Sequence, residues 1–225
     1  MKILLRVVTC LFSFCISLNT FAALYDRGSG LIYDDVLNIT WLQDANYAQT
    51  SGYDVQDITW LQTINQADDI NGRMTWSEAN SWAAQLEYGG YDDWRLASVG
   101  SSPTSGLNVT TSELGHMFYN NLGNAEMTSV LNLDFNVSFT DAALGGSTVS
   151  FLNVQAAGYW NNEDHPTTNL AWAFWNDNGF QNSSSNNVNR FAWAVRPGDV
   201  SIIPVPAAAW LFGSALAALG LARRK

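Results

Sequence analysis

Gly89-Gly90-Tyr91-Asp92-Asp93-Trp94-Arg95-Leu96 stands between the strongest helix signal of the chain and its long polar and aromatic second half. The glycine pair predicts a reversal of the backbone, because glycine adopts left-handed angles without a steric penalty. The tryptophan and the leucine are predicted to enter the core. The arginine is predicted to bind a neighbouring or more distant carboxylate in a hydrogen-bonded network. We interpret this stretch as a structural hinge that organises the fold.

The segment before the hinge has the pattern of an amphipathic helix. Thr75-Trp76-Ser77-Glu78 forms a capping box, in which the threonine hydroxyl and the glutamate satisfy amides at the helix start. Apolar residues then recur at helical spacing, which predicts a helix over 76–88 with Gly89 in the left-handed position at its end. A second helix is predicted over 112–122, with Glu113 in its first turn.

The remaining segments favour β-strands. Leu31 to Tyr33 and Leu37 to Leu42 are short apolar runs bounded by turn residues. Residues 131–139 alternate between apolar and polar, as a half-buried strand does. Residues 171–175 form a further strand, and Asn178-Gly179 predicts a hairpin turn after it. Residues 182–189 are predicted to be a polar loop, and residues 191–196 the closing strand.

The charge is unevenly distributed. The chain has 225 residues and a formal net charge of −10. Residues 23–199 hold all 20 acidic residues and only five basic ones, all arginine. Such a surface repels nucleic acid and anionic lipid, so neither is a predicted partner.

The two ends of the chain predict processing. Residues 1–22 combine Lys2 and Arg6, an apolar run and small residues before position 23, which is typical of a signal peptide. Both cysteines, Cys10 and Cys15, lie within it, so the mature chain has no thiol chemistry. We therefore expect an exported protein that signal peptidase processes, with one domain over 23–199.

Residues 200–225 predict a sorting tail. Pro204 and Pro206 precede an apolar run over 207–222, and the chain closes with Arg223-Arg224-Lys225. This pattern resembles the PEP-CTERM class of sorting signal, which exosortase reads in Gram-negative bacteria; Val205 stands between the prolines where glutamate is usual. The resemblance implies a transmembrane helix that holds the protein in the membrane in transit, an exosortase-like processing enzyme, and a final location at the cell surface or in the extracellular matrix. A simple C-terminal anchor is the alternative.

The domain contains an ordered set of short motifs. They are Gly30-Leu31-Ile32-Tyr33-Asp34, Leu37-Asn38-Ile39-Thr40-Trp41-Leu42, Met74-Thr75-Trp76 with Glu78-Ala79, the hinge, Ser112-Glu113-Leu114, Tyr159-Trp160 and Ala192-Trp193-Ala194-Val195-Arg196-Pro197-Gly198. As a set, these motifs resemble the Lcl C-terminal domain family of exported bacterial domains. The resemblance implies an α+β fold: a single C-type-lectin-like domain with two helices and an antiparallel β-sheet. Ala97 replaces the usual proline, and residues 55–70 look like an insertion.

Neither chemistry nor metal binding has a clear signature in the residues. The fold family implied by the resemblance includes formylglycine-generating enzymes, but their active-site cysteines are missing from the mature chain, which excludes that oxidase chemistry. No cofactor is predicted. Trp175-Asn176-Asp177 reads like the calcium-binding tripeptide of C-type lectins, which keeps calcium as an alternative, although a hairpin turn explains Asn176 and Asp177 as well.

The predicted function is therefore binding rather than catalysis. Tryptophan rings stack on sugars, and asparagine or aspartate side chains bind hydroxyl groups. The candidate ligand-binding residues are Trp160, Asn161, Trp172, Trp175, Asn176 and Asp177. The main hypothesis is an exported surface or matrix protein that binds polysaccharide or a protein partner. The alternatives are a purely structural biofilm component and a hydrolase that uses paired carboxylates.

Overall fold

The computed structural model describes residues 23–53, 71–131, 137–141 and 146–200. Within these ranges the strands are β1 Leu24–Asp26, β2 Leu31–Asp34, β3 Ile39–Leu42, β4 Arg95–Leu96, β5 Val137–Thr140, β6 Thr148–Phe151, β7 Gly158–Asp164, β8 Leu170–Trp175, β9 Phe180–Ser185 and β10 Ala194–Pro197. The helices are α1 Tyr47–Thr50, α2 Trp76–Ala84 and α3 Glu113–His116, and α3 continues into a π-helical turn over Met117–Asn121.

The largest sheet joins both ends of the domain. Its five strands have the order β1-β2-β3-β10-β4, and all neighbours are antiparallel. The closing strand β10 thus lies between β3 and β4, where Val195 pairs with Trp41 on one side and with Arg95 on the other. Pairing between strands this distant in sequence makes the sheet a non-local structure.

Two further antiparallel sheets complete the β-structure. β5 and β6 form a two-stranded ribbon, and β7-β8-β9 form a three-stranded sheet. The turn between β8 and β9 spans residues 176–179, so the predicted hairpin is confirmed. The prediction of a loop over 182–189 is wrong in its first part, because Ser183, Ser184 and Ser185 pair with β8 despite their polarity.

Aromatic side chains fill the core that these sheets enclose. Trp41, Trp82, Trp160 and Trp193 are almost completely buried. The rings of Trp41 and Trp193 lie 4.9 Å apart in an edge-to-face arrangement. Truncating a tryptophan in such a core costs about 3–5 kcal/mol, so this packing stabilises a domain that contains no disulfide.

The hinge takes the predicted shape, with one difference. Gly89 and Gly90 have positive φ angles of 64° and 85°, and Tyr88 and Tyr91 exchange backbone hydrogen bonds across them at 3.0 and 3.1 Å. Trp94 is buried, as predicted. The glycines therefore form the turn of a tight reversal and do not cap the preceding helix.

Helix α2 confirms the capping box but is shorter than predicted. The Thr75 hydroxyl accepts the amide of Glu78, and the Glu78 carboxylate accepts the amide of Thr75 at 2.9 Å. The helix ends at Ala84, four residues before the predicted end. The second predicted helix reduces to the single α-turn of α3 and the π-helical turn after it.

The predicted fold class is wrong. We expected a C-type-lectin-like α+β domain built on two helices, with a transmembrane helix at the C-terminal end. The described residues are mainly β-structure in three antiparallel sheets, with short helices. The cause is pairing between segments that are distant in sequence. Polar segments such as β9 join a sheet through this pairing, and the helices are limited to a few turns.

Several predictions fall on other parts of the chain. Among the residues that the structure describes, no helix combines the length and the apolar character needed to cross a membrane. The predicted signal peptide at 1–22, the predicted insertion at 55–70 and the sorting tail from residue 201 onward lie outside the described residues.

Candidate ligand-binding site

One face of the β7-β8-β9 sheet combines large aromatic and very small residues. Residues directly opposite each other on neighbouring strands share a face. Gly158 pairs with Trp175, Trp160 with Ala173, and Ala171 with Ser184. These six residues therefore lie on the same side of the sheet, which we call the Arg190 face after the side chain that lies across it.

Backbone pairing fixes the position of Arg190. Its amide and carbonyl bond to Met74 at 2.9 and 2.8 Å. The next residue, Phe191, bonds to Gly158 at 3.1 Å and to Trp160 at 2.9 Å. The segment that carries Arg190 thus runs along the edge of β7, which positions the arginine side chain over the sheet.

The guanidinium of Arg190 stacks on two indoles. Its central carbon lies 4.5 Å from the ring centroid of Trp175 and 5.4 Å from that of Trp160. Nε and Nη2 donate to the Ser184 hydroxyl at 3.1 and 2.6 Å. The half-buried side chain is therefore held in place while the two N–H bonds of Nη1 have no acceptor among the described residues.

Gly158 provides the space for this arrangement. A Cβ at this position would lie 2.4 Å from Nη1 of Arg190. Ala171 and Ala173 are also small, so the middle of the face has no side chain that could displace the guanidinium. The flat guanidinium fills the space between the two indoles, an arrangement that suits arginine better than lysine.

Arg190 differs electrostatically from the other arginines. Arg27, Arg95 and Arg196 bind Asp199, Glu113 and Asp93 at 2.6–2.7 Å. Arg190 and Arg73 contact no carboxylate in the part of the chain that the structure describes.

Arg73 lies close to Arg190 on the adjoining segment. Its Nη2 donates to the carbonyl of Asn189 at 2.9 Å. Burial, followed by the positive charge of Arg73, lowers the pKa of Arg190. The ordinary pKa of arginine is so high that the group stays charged at neutral pH. The acidic domain therefore contains a local positive site that has no internal counterion among the described residues.

Comparisons with protein-family models, with curated proteins and with solved structures find no match to this chain. The residues and their geometry therefore carry the functional argument.

The predicted ligand-binding tryptophans have different environments. Trp160 is 0% exposed and Trp172 is 5% exposed, so neither ring offers a surface for stacking on a sugar. Trp172 also lies on the opposite side of the sheet, because it is adjacent to Ala173 in the strand. Trp175 is half-buried and reaches solvent beside Arg190. Of the three predicted tryptophans, Trp175 therefore has the most accessible indole, and the binding role of all three stays a prediction.

The predicted polar ligands are also mostly inaccessible. Asn161 is 0% exposed, and neither amide atom has a hydrogen-bond partner in the described part of the chain. Asn176 is buried at the start of the hairpin turn, where its carbonyl accepts the amide of Val130 at 2.7 Å. Asp177 is exposed at the tip of this turn. The turn explains the tripeptide that suggested calcium.

No group of three or more histidine or acidic residues is arranged to hold a metal ion within the described ranges. One pair of carboxylates that bears on the paired-carboxylate hypothesis meets at Ser98. Glu113 accepts its amide at 2.6 Å, and Glu163 accepts its hydroxyl at 2.5 Å. Arg95 occupies both oxygens of Glu113 at 2.7 Å, and the amide of Val99 occupies the other oxygen of Glu163. The pair is thus fully used in tying the segment after β4 to α3 and β7.

Sequence reasoning missed Arg190, Arg73 and Ser184. The relevant sequence signal was composition. Residues 23–199 hold five arginines and 20 acidic residues, so an arginine without a carboxylate partner is unusual in this domain. Which arginine stays unpaired depends on the position of each carboxylate in space, so the sequence does not identify it.

Proposed function

We propose that this chain is an exported surface or matrix protein whose domain binds acidic polysaccharide through the Arg190 face. The supporting observation is a charged, half-buried arginine that stacks on Trp175 and contacts no carboxylate among the described residues. A uronate or sulfate group would accept a free N–H of Arg190, while a sugar ring would contact the exposed part of the indole. Arginine and tryptophan are frequent anchors of binding sites.

The acidic excess of the domain is compatible with an anionic ligand. Charges that are exposed and more than about 8 Å away are largely screened at physiological salt. Arg190 and the nearby Arg73 then dominate the local field. We expect the affinity for polysaccharide to fall as the salt concentration increases, because the attraction is electrostatic and dissolved ions screen it.

Export rests on the sequence. The signal peptide over 1–22 and the tail over 200–225 are the features that support it. An exported protein meets extracellular polysaccharide directly, which connects the location to the ligand class. We keep signal peptidase and an exosortase-like enzyme as proposed processing partners.

The deciding experiment measures binding of the purified protein to a panel of acidic and neutral polysaccharides. Arg190→Met should weaken binding to acidic polymers at least about tenfold, since a hydrogen bond to a charged group contributes about 1.5–3 kcal/mol. Arg27→Met is the matched control. Arg27 also stacks on two rings, Tyr25 and Tyr33 at 5.0 and 5.1 Å, but Asp199 neutralises it.

If Arg190→Met and Arg27→Met reduce the affinity equally, the ligand binds elsewhere on the molecule. A protein that binds none of the polymers would favour the structural matrix component. Unaltered melting temperatures of both variants are the necessary check that the folds are intact.

A further inference from the structure

Ala23, the first residue that the structure describes, forms two hydrogen bonds with Asp35, which follows β2. The backbone nitrogen of Ala23 donates to Oδ1 of Asp35 at 3.0 Å, and the Ala23 carbonyl accepts the Asp35 amide at 3.3 Å. The Tyr25 hydroxyl donates to Oδ2 of the same carboxylate at 3.3 Å. Asp35 therefore faces the backbone nitrogen at the position where signal peptidase is predicted to cut.

Cleavage would change the chemistry of this nitrogen. Hydrolysis of the bond between Ala22 and Ala23 adds one water, leaving a carboxylate on Ala22 and a primary amine on Ala23. That amine takes up a proton at neutral pH, because its ordinary pKa is about 7.7–8.0. A neutral amide donor thereby becomes an ammonium group next to a carboxylate.

Asp35 forms no ion pair with any of the described residues. The arginines that form ion pairs within the described residues bind Asp93, Glu113 and Asp199. We propose that processing after Ala22 creates an amino terminus that forms an ion pair with Asp35, and that this pair strengthens the attachment of β1 to β2, which are already paired in the unprocessed chain. The inference is independent of the polysaccharide site and rests on the predicted export.

The surrounding charges favour an ammonium group at this place. β1 contributes Tyr25 and Asp26, Arg27 follows directly after it, and β2 contributes Tyr33 and Asp34. Asp141 accepts the amide of Asp26 from the loop after β5, and Asp199 already neutralises Arg27. The acidic groups outnumber the basic ones, so the local field attracts a positive charge.

The ion pair also predicts a pH dependence. A carboxylate beside the ammonium raises its pKa in the folded state. Stability from the pair is then fully present below about pH 7.7, the ordinary pKa of an α-amino group, and is lost as the pH rises through the higher folded value.

The test begins with protein purified from exporting cells. Its intact mass should correspond to a chain that begins at Ala23. An NMR titration should then place the pKa of the Ala23 α-amino group above about 8.0. Asp35→Asn should return this pKa to the ordinary range. Asp177→Asn, which removes an exposed carboxylate in the β8–β9 turn, is the control and should leave it raised.

A second measurement does not depend on the Asp35 variant. A chain with one glycine retained before Ala23 moves the ammonium away from Asp35, so it should lose the change in melting temperature between about pH 7 and 10 that the mature protein shows. A different mature terminus, an ordinary α-amino pKa in the native protein, or identical pH profiles of the two chains would each overturn the proposal. None of these outcomes bears on polysaccharide binding.

Discussion

Arginine side chains illustrate how one residue type serves two purposes in this domain. Arg196 lies 3.9 Å from the ring centroid of Tyr91 and also binds Asp93 through two hydrogen bonds. Arg190 stacks in the same way on Trp175, but among the described residues the hydrogen-bond partner at its edge is the Ser184 hydroxyl. A stacked guanidinium keeps its N–H groups in the plane and available, so the edge partner decides whether the group is internal support or a site for an anion.

Arg95 belongs to the supporting group. Its side chain is 31% exposed and that of its partner Glu113 is 13% exposed. Burial lowers the pKa of Arg95, but the hydrogen bonds and the charge of Glu113 outweigh this and raise it overall. The pair also holds the amide of Ser98 through Glu113.

Arg95→Ala should therefore lower the free energy of unfolding by about 1–3 kcal/mol, because it leaves the partly buried carboxylate without its cation. Urea denaturation measures this loss. Arg73→Ala, which removes an exposed arginine, should change stability by less than about 0.5 kcal/mol. Binding of polysaccharide to the folded Arg95 variant should be unchanged; a stable variant that has lost binding would assign Arg95 to the site.

At the scale of elements, the β7-β8-β9 sheet is the support of the candidate site. Its alternation places Gly158 and Ala173 next to the indoles of Trp175 and Trp160, with Ala171 farther along the same face. A two-residue period separates these side chains from Trp172, which belongs to the other face. A shift of one residue in register would exchange the two faces and remove the site.

Gly158→Ala tests this element without removing a charge. The added methyl group would overlap Nη1 of Arg190, which lies 2.4 Å from the Cβ position, so the flexible end of the side chain must move off the indole. We expect a several-fold loss of polysaccharide affinity with a small change in melting temperature. Thr168→Ala, an exposed substitution in the turn between β7 and β8, is the control. Equal affinity of Gly158→Ala and the native protein would contradict the stacked geometry.

At the scale of the molecule, the last strand occupies an interior position of the main sheet. β10 lies between β3 and β4, and the indole of Trp193 just before it donates to the Leu42 carbonyl at 2.7 Å. The two ends of the domain are also joined by the ion pair of Arg27 and Asp199. The sheet is therefore incomplete until the final residues of the domain have been added.

Truncation after Trp193 should abolish cooperative unfolding, because it removes the strand that joins two parts of the sheet. A chain that ends at Val200 keeps β10 and is the control. Circular dichroism with urea titration distinguishes them. A sigmoidal transition of native steepness in the shorter chain would show that β10 is an accessory strand.

Local features were predictable because they depend on neighbours in sequence. The capping box at Thr75 and Glu78, the turns at Gly89-Gly90 and at 176–179, and the burial of Trp94 all follow from local hydrogen bonds, backbone freedom or apolar character. The candidate ligand residues were harder, because tryptophan and asparagine serve equally in a core and in a binding site.

The sequence by itself determined the charge excess, the absence of thiol chemistry from residues 23–225 and the positions of these turns. Only the tertiary structure decided that β9 is a strand, that Trp160 and Asn161 are buried, and that Arg190 lies over Trp175 with no carboxylate partner in the described ranges. The physical reason is the separation in sequence between the residues that interact. Turns and caps are closed by residues a few positions apart, whereas sheet order, burial and the neutralisation of a charge depend on segments that meet only after the whole domain has folded.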